Sequence, residues 1–271
     1  MSATTLITKA VILARGLGKR MREEDSSATI DAAQAAAADS GVKAMVPVRR
    51  PFLDYVLSGL ADAGFDRACI VIGPEYQTVR DYYTHKLRLS RIEVSFATQP
   101  KPLGTANAVL AAQDFVGTDE FLVVNSDNYY PLDVLQALQR LGQPGAVLFE
   151  AGSLVRNSNI PENRIHAFAG CVVDSAGFLA GIVEKPAIGD LDAAKLISMN
   201  CWRFSAAIFA ACRDVPLSRR GEYELPLAVK LAINRGMRLK VEISHSGVLD
   251  LSRRSDIAAV AERLWHVKAQ L

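Results

Sequence analysis

Ala10-Val11-Ile12-Leu13-Ala14-Arg15-Gly16-Leu17-Gly18-Lys19-Arg20-Met21 is the stretch that decides the fold class. An unbroken apolar run stops on a glycine-bearing basic turn, the pattern of a strand buried on both faces of a parallel sheet. The same grammar recurs downstream. Apolar runs at Ala68 to Ile72, Ile92 to Ala97 and Phe121 to Val124 alternate with helical patterns at Pro51 to Leu60, Val79 to Leu87 and Ala106 to Ala112. Such alternation predicts an α/β chain with a mostly parallel, helix-covered sheet, and places any ligand crevice at the carboxyl ends of its strands. The glycine turn leaves one of those ends. Gly16 and Gly18 expose backbone amides, and Lys19 and Arg20 add charge, which suits a polyphosphate; the alternative is a structural turn. Met21 stands where a dinucleotide fingerprint needs glycine, and Leu13 and Arg20 exclude a Walker loop.

The bulk numbers bound the rest. With 271 residues and 50% hydrophobic content, the chain can bury a large core, and it reads as one domain, residues 1–271, whose halves meet near residue 130. Thirty-one basic residues against 29 acidic ones leave +2, which argues against a general nucleic-acid or membrane-surface binder. No apolar run approaches the ~20 residues of a membrane span. Met1 to Lys9 lacks the pattern of a secretory leader, so the expected compartment is the cytoplasm. Cys69, Cys171, Cys201 and Cys212 are too scattered for a zinc site and read as reduced thiols, and no histidine is assigned to catalysis.

Between Arg22 and Val42 lies an acidic, then alanine-rich stretch with high helix propensity but few apolar anchors, a peripheral helix or a flap. Beyond Pro131 a helix is expected, then strands at Ala146 to Glu150, Ile165 to Val173 and Leu179 to Val183. Glu224 to Asn234 and Ser255 to Lys268 read as helices, the second with Ile257, Val260, Ala261, Leu264 and Trp265 on one face. No internal repeat is visible.

Three further segments carry chemistry. Gln99 in Gln99-Pro100-Lys101-Pro102-Leu103-Gly104-Thr105-Ala106 offers a donor and an acceptor to a base edge, and Gly104 lets backbone approach a planar ring. Asp127 follows an apolar strand directly, where a carboxylate needs a cation or hydrogen-bond partners. Glu184-Lys185-Pro186 closes another strand; alone it is no more than a charged strand end.

Taken in order, the glycine turn, the Gln99 segment, Asn125-Ser126-Asp127-Asn128 and Val183-Glu184-Lys185-Pro186 resemble the sugar-phosphate nucleotidylyltransferase family. The resemblance runs from Lys9 to about Leu264. It implies a three-layer α/β/α fold of the glycosyltransferase-A type, with a nucleotide-binding half at about 9–130 and a sugar-phosphate half at 131–271. In this family the first turn, here Leu13, Ala14, Gly16, Gly18 and Lys19, wraps the nucleotide, and its arginine, Arg20, faces the transferring phosphate. Lys43-Ala44-Met45-Val46-Pro47-Val48 resembles the second half of the same signature, with Lys43 neutralising the triphosphate. Gln99, with Gly104 and Thr105, corresponds to the pyrimidine-reading turn, and a glutamine there favours UTP or dTTP over GTP. Asp127 and a later aspartate, Asp250 in Gly247-Val248-Leu249-Asp250-Leu251, correspond to the ligands of Mg2+. Glu184 and Lys185 correspond to the residues that hold the sugar and its phosphate, with Gly170 and Asn200 on the same side; Glu224 is either an acceptor-side residue or a helix start.

The implied reaction is attack of a sugar 1-phosphate oxygen on the α-phosphorus of a nucleoside triphosphate, releasing pyrophosphate. A phosphate monoester has a second pKa of about 6, so the nucleophile needs no general base near neutrality. Arg20, Lys43, Lys185 and magnesium would carry the charge neutralisation. Three other functions remain open: a guanylyl- or cytidylyltransferase, a metal-dependent glycosyltransferase, and a non-catalytic nucleotide-sugar sensor. Departures from the family pattern bear on substrate identity: Arg15 and Lys19 replace a small residue and a threonine, Ser126 replaces a glycine, and Asp250 lacks the usual tryptophan and glycine neighbours. Arg15 and Lys19 are read either as phosphate contacts or as solvated charges. The chain leaves no room for a carboxyl-terminal β-helix, so one activity is expected. Monomer and homo-oligomer are both compatible with it.

Overall fold

The structure, a computed structural model, describes residues 6–26, 28–186 and 195–271. Part of the amino-terminal stretch read for a leader, and one residue of the Arg22 to Val42 segment, lie outside these. The strands, in chain order, are β1 (Lys9–Leu13), β2 (Arg67–Ile72), β3 (Glu93–Thr98), β4 (Phe121–Asn125), β5 (Asn128–Tyr129), β6 (Gly145–Glu150), β7 (Ala169–Val173), β8 (Leu179–Val183), β9 (Leu196–Phe204), β10 (Lys240–Ser244) and β11 (Leu249–Asp250).

One mixed sheet takes the order β10-β6-β9-β4-β1-β2-β3, with β7 and β8 attached beside β9. The first-half strands β3, β2, β1 and β4 are all parallel, and β9 runs antiparallel between β4 and β6. The sheet therefore crosses from one half of the chain to the other without an edge between them. Alternate residues of β1 enter opposite cores: Ala10 and Ile12 pack with Phe52, Leu53, Leu57 and Val124, whereas Val11 and Leu13 pack with Val109, Val123, Trp202 and Phe209. A strand with both faces buried needs helices above and below it, which gives the mixed sheet its α/β/α layering.

The helix Phe52–Asp62 buries almost every side chain, including the carboxylate of Asp54, which accepts from Arg50, Tyr82 and Tyr83. The alanine-rich segment is a helix, Ala32–Ser40, peripheral as its composition implies, with only Ala38 buried. Asp31 starts it with a capping box, its side chain accepting from the Gln34 backbone N–H at 2.8 Å while the Gln34 side chain accepts from the Asp31 backbone N–H at 3.1 Å.

Two element boundaries differ from the sequence reading. Ile165 is not in a strand: Glu162–Ala167 forms a 3-10 turn that presents Arg164 to Asp250, and β7 begins at Ala169. The last helix, Asp256–Arg263, stops short of Trp265, which is 57% exposed rather than part of the apolar face. The Arg49 guanidinium lies 4.6 Å from the Trp265 ring and donates to its carbonyl, so a cation over the indole replaces core packing there. The helices Ala151–Asn157 and Ile208–Asp214 and the long strand β9 were not anticipated.

Candidate functional site

The glycine turn leaves β1 between β2 and β4. Sheet bonding continues past the strand, with Ala14 N donating to Val71 O and Ser126 N to Leu13 O, so the turn and the Asp127 segment are held side by side. Gly18 adopts φ 61°, and a Cβ on it would fall 2.2 Å from Gly41 O, so only glycine fits. That contact explains the excursion from Arg22 to Gly41: the chain goes out, forms its helix and returns onto the turn it left. Arg22 donates to Ser40 O at 2.6 Å, and Arg254 binds Met21 O, Arg22 O and the Asp39 carboxylate, closing the excursion. Gly16, Lys19 and Arg20 are exposed, and neither cation has a protein partner among the described residues.

The returning chain delivers Lys43. Its Nζ lies 2.6 Å from Asp127 Oδ2, with the side chains 16% and 22% exposed. Asp127 and Asp250 are brought together by the antiparallel pair β5 and β11, in which Asp250 faces Asn128 and Leu251 N donates to Asp127 O. The two carboxylates have different surroundings. Asp127 Oδ1 has no protein donor among the described residues. Asp250 is 3% exposed; its Oδ1 accepts from Asn128 Nδ2 at 3.0 Å and Ser252 Oγ at 3.1 Å, and its Oδ2 pairs with Arg164, which also binds Asp256 at 2.5 Å. Burial, and then the Asp127 charge, push the Asp250 carboxyl up, while Arg164 opposes them.

On the base side, Gln99 leaves the end of β3 and is 1% exposed. Its Nε2 donates to Gly104 O at 3.0 Å and Asn107 Oδ1 at 2.8 Å, so its donor capacity is spent within the protein. Gly104, at φ 111°, packs so tightly on Tyr223 that a Cβ would lie 2.5 Å from Tyr223 O. Thr105 Oγ1 accepts from Leu225 N at 2.8 Å, and Tyr223 exchanges backbone bonds with Leu103 and Ala106. This turn is thus bonded directly to the Tyr223 and Leu225 segment of the second half.

That segment holds the acceptor-side candidates. Glu184 directly follows β8, with its side chain 21% exposed, and its carboxyl is pushed up to about 7 by burial and by Glu224, against the pull of Lys185 and Arg220. Arg220, which sequence reasoning missed, lies 3.0 Å from Glu224, 3.5 Å from Glu222 and 4.0 Å from Glu184. The charged turn Arg219-Arg220-Gly221-Glu222 ahead of a helix was the available signal. Lys185 is exposed at φ 46°. Gly170 pairs with Val183 on one side and Ile197 on the other, immediately beside Glu184. Asn200 sits at φ 56° where the β6–β9 register slips, and accepts from Trp202 Nε1 at 3.3 Å. Arg164 was the second residue that sequence reasoning missed, since it falls just before the segment read as a strand from Ile165 and outside every motif.

Arg15 and Lys19 part company. Arg15 is 7% exposed and pairs with Glu75 at 2.8 Å, so it is neither a solvated charge nor an open phosphate contact. Lys19 is exposed.

The carboxyl ends of the interior parallel strands β1 and β4 carry a glycine turn and a lysine-paired aspartate, and Glu184, Arg220 and Glu224 form a charged cluster in the second half, the arrangement expected of a nucleotide-handling α/β protein. The model of the nucleotidyl transferase family matches residues 9–261, and the chain belongs to that family. It is 26% identical over 265 residues to UTP–glucose-1-phosphate uridylyltransferase AglF of Haloferax volcanii, covering 97% of this chain and 98% of that one. It is 29% identical over 255 residues to a glucose-1-phosphate thymidylyltransferase of Streptomyces griseus, covering 93% of this chain and 64% of that protein. Among solved structures, UDP-glucose pyrophosphorylase complexed with UDP-glucose superposes with a TM-score of 0.77 over 97% of this chain and all of the other, at 16% identity. The same enzyme from Acinetobacter baumannii gives 0.75 at 20% identity, over 97% of this chain and 96% of that one. Both share the fold.

Proposed function

We propose that this protein makes a nucleotide sugar, joining a nucleoside triphosphate to a sugar 1-phosphate with release of pyrophosphate, and that UTP or dTTP is the nucleotide. The observation that carries this reading is the bonding of the base-side turn to the acceptor segment: Gly104 on Tyr223 and Thr105 on Leu225 join two half-sites into one. A reaction that brings two anions together needs that continuity and a supply of positive charge.

Arg20 and Lys19, exposed on the glycine turn, meet the triphosphate, and Lys43 is held at the carboxylate that shares its charge. Glu184 accepts from sugar hydroxyls, Lys185 holds the sugar phosphate, and Arg220 keeps Glu184 and Glu224 in place. Gly170 and Asn200 shape the acceptor side by backbone approach and by the strand irregularity. The nucleophile is already deprotonated near neutrality, since its second pKa is about 6, so no side chain serves as a general base.

Magnesium fits the carboxylate that has an oxygen to give. Asp127 would hold it through Oδ1 together with phosphate oxygens and water, the donor set this ion prefers. Asp250 would join only if Arg164 gave up Oδ2 and kept Asp256. When bound, the ion would neutralise the phosphates as a Lewis acid. Four buried free thiols suit a reducing compartment such as the cytoplasm.

The uridylyltransferase and thymidylyltransferase relatives support the pyrimidine preference. In the test, pyrophosphate release is followed with magnesium for UTP, dTTP, GTP, CTP and ATP, each with a set of sugar 1-phosphates, and Asp127→Asn is the control. Release that requires both substrates, favours UTP or dTTP and disappears in the control supports the reading. Release of a nucleoside diphosphate points to a glycosyltransferase, and binding without turnover to a sensor.

A further inference from the structure

The glycine turn and the base-side turn leave strands that are not neighbours, because β2 lies between β1 and β3. Arg15 joins them across that gap. Its Nε donates to Gln99 O at 3.1 Å, its Nη1 lies 2.8 Å from Glu75 Oε1, and its guanidinium sits 5.6 Å from the Tyr76 ring. The Tyr76 hydroxyl returns to the glycine turn, donating to Gly16 O at 2.8 Å. Gln99 in turn reaches Gly104 and Asn107 through its own side chain. The result is a chain of contacts from Gly16 through Tyr76, Arg15 and Gln99 to Gly104, with Glu75 paired to Arg15 at its side.

The crossing is possible because residue 73, at the end of β2, is glycine. A Cβ there would lie 2.6 Å from both Cζ and Nε of Arg15. With its charge met by Glu75 and its Nε committed to a carbonyl, Arg15 is a brace. Both ends of the brace are turns that a single nucleotide must touch at once, one at its phosphates and one at its base. The spacing of those turns therefore sets how well base and triphosphate are engaged together.

We propose that Arg15 is the positioning residue for nucleotide selection, fixing the Gln99 to Gly104 turn relative to the glycine turn. This rests on the nucleotidylyl-transfer reading above. The test titrates UTP, dTTP, GTP, CTP and ATP calorimetrically, with magnesium, into wild type, Arg15→Ala, Gly73→Ala and the double variant, and adds steady-state kinetics. Arg15→Ala is expected to weaken the preferred nucleotide by about tenfold or more and to shrink its advantage over the next one. The kcat at saturation stays within about threefold, the pattern of lost ground-state binding. Gly73→Ala, which keeps the arginine but fills its path, gives the same pattern, and the double variant is no worse than Arg15→Ala.

A brace that served the fold alone would lower melting temperature and active fraction for all nucleotides alike and leave the ratios between them untouched; that result overturns the proposal. An Arg15→Ala protein with wild-type affinities and ratios also overturns it. Wild type that binds nucleotide without turning it over refutes the reaction, while the binding ratios of the variants still decide the role of Arg15. Wild type that binds no nucleotide overturns both.

Discussion

Lys43 Nζ lies 2.6 Å from Asp127 Oδ2, a pair 84 residues apart in sequence, the lysine arriving from the turn after the helix Ala32–Ser40 and the aspartate from just beyond β4. Asp127 fixes the lysine, and the lysine leaves Asp127 one oxygen without a donor among the described residues. Lys43→Ala is therefore expected to lower kcat by about 10²- to 10³-fold, the usual cost of removing one charge-stabilising donor. Asp127→Asn should be at least as damaging, and the double variant should cost much less than the product of the two losses, since each single change already breaks the pair. Strict additivity in a steady-state double-mutant cycle would rule out the coupling.

Glu184 should make acceptor use pH-dependent. Its carboxyl titrates at about 7 rather than 4.5, so it gains a proton as pH falls through neutrality and ceases to be a full acceptor for sugar hydroxyls. The KM for sugar 1-phosphate should rise below about pH 7 with nucleotide KM unchanged. Glu224→Gln removes a neighbouring negative charge, so the midpoint of that rise should move to lower pH.

The same shift has a signature in stability. A carboxyl whose pKa rises on folding contributes stability that is present below 4.5 and lost as pH climbs through about 7. Glu184→Gln, which cannot ionise, should thus melt higher than wild type at about pH 8 and equally at about pH 4, by ~2–4 °C for each kcal/mol relieved. Thermal scans at both pH values check it; a lower melting temperature at the alkaline end contradicts the assigned burial.

Arg164 spans the buried carboxylates of Asp250 and Asp256. Arg164→Ala strands both, and should cost ~3–5 kcal/mol in urea unfolding. Arg164→Lys should recover little, because one ammonium cannot present the planar fork that meets two carboxylates. An unchanged unfolding midpoint in the alanine variant would show that the two aspartates find other partners.

Gly104→Ala tests the junction between the half-sites. The added Cβ meets Tyr223 backbone at 2.5 Å, and φ 111° is unfavourable for any side chain. A loss of ~1–3 kcal/mol in stability is expected from the backbone conformation. The KM values for nucleotide and sugar phosphate should rise together, because one turn serves both. A rise in only one of them would separate the two half-sites.

Much of this molecule was legible in its sequence. The apolar runs ending at Ala14, Ile72, Ala97 and Val124 located the parallel strands, since a strand buried on both faces tolerates no polar interruption. Glycine and proline marked the turns that carry the candidate residues. Trp265 misled: it continues the helical period of Ile257, Val260, Ala261 and Leu264, but the cation of Arg49 competes for its ring. Periodicity counts apolar residues and cannot see such a partner.

The sequence by itself determined the α/β class, the order of the motifs and the residue types able to neutralise phosphate, because these follow from local pattern and from side-chain chemistry. Only the tertiary structure decided what each charge faces. It turned the Arg22 to Gly41 excursion back onto Gly18, delivered Lys43 to Asp127, spent Asp250 on Arg164, and bent Arg15 over Gly73 to Gln99. The partners of a charge are set by which strand ends become neighbours in space, and no local property of the chain records that.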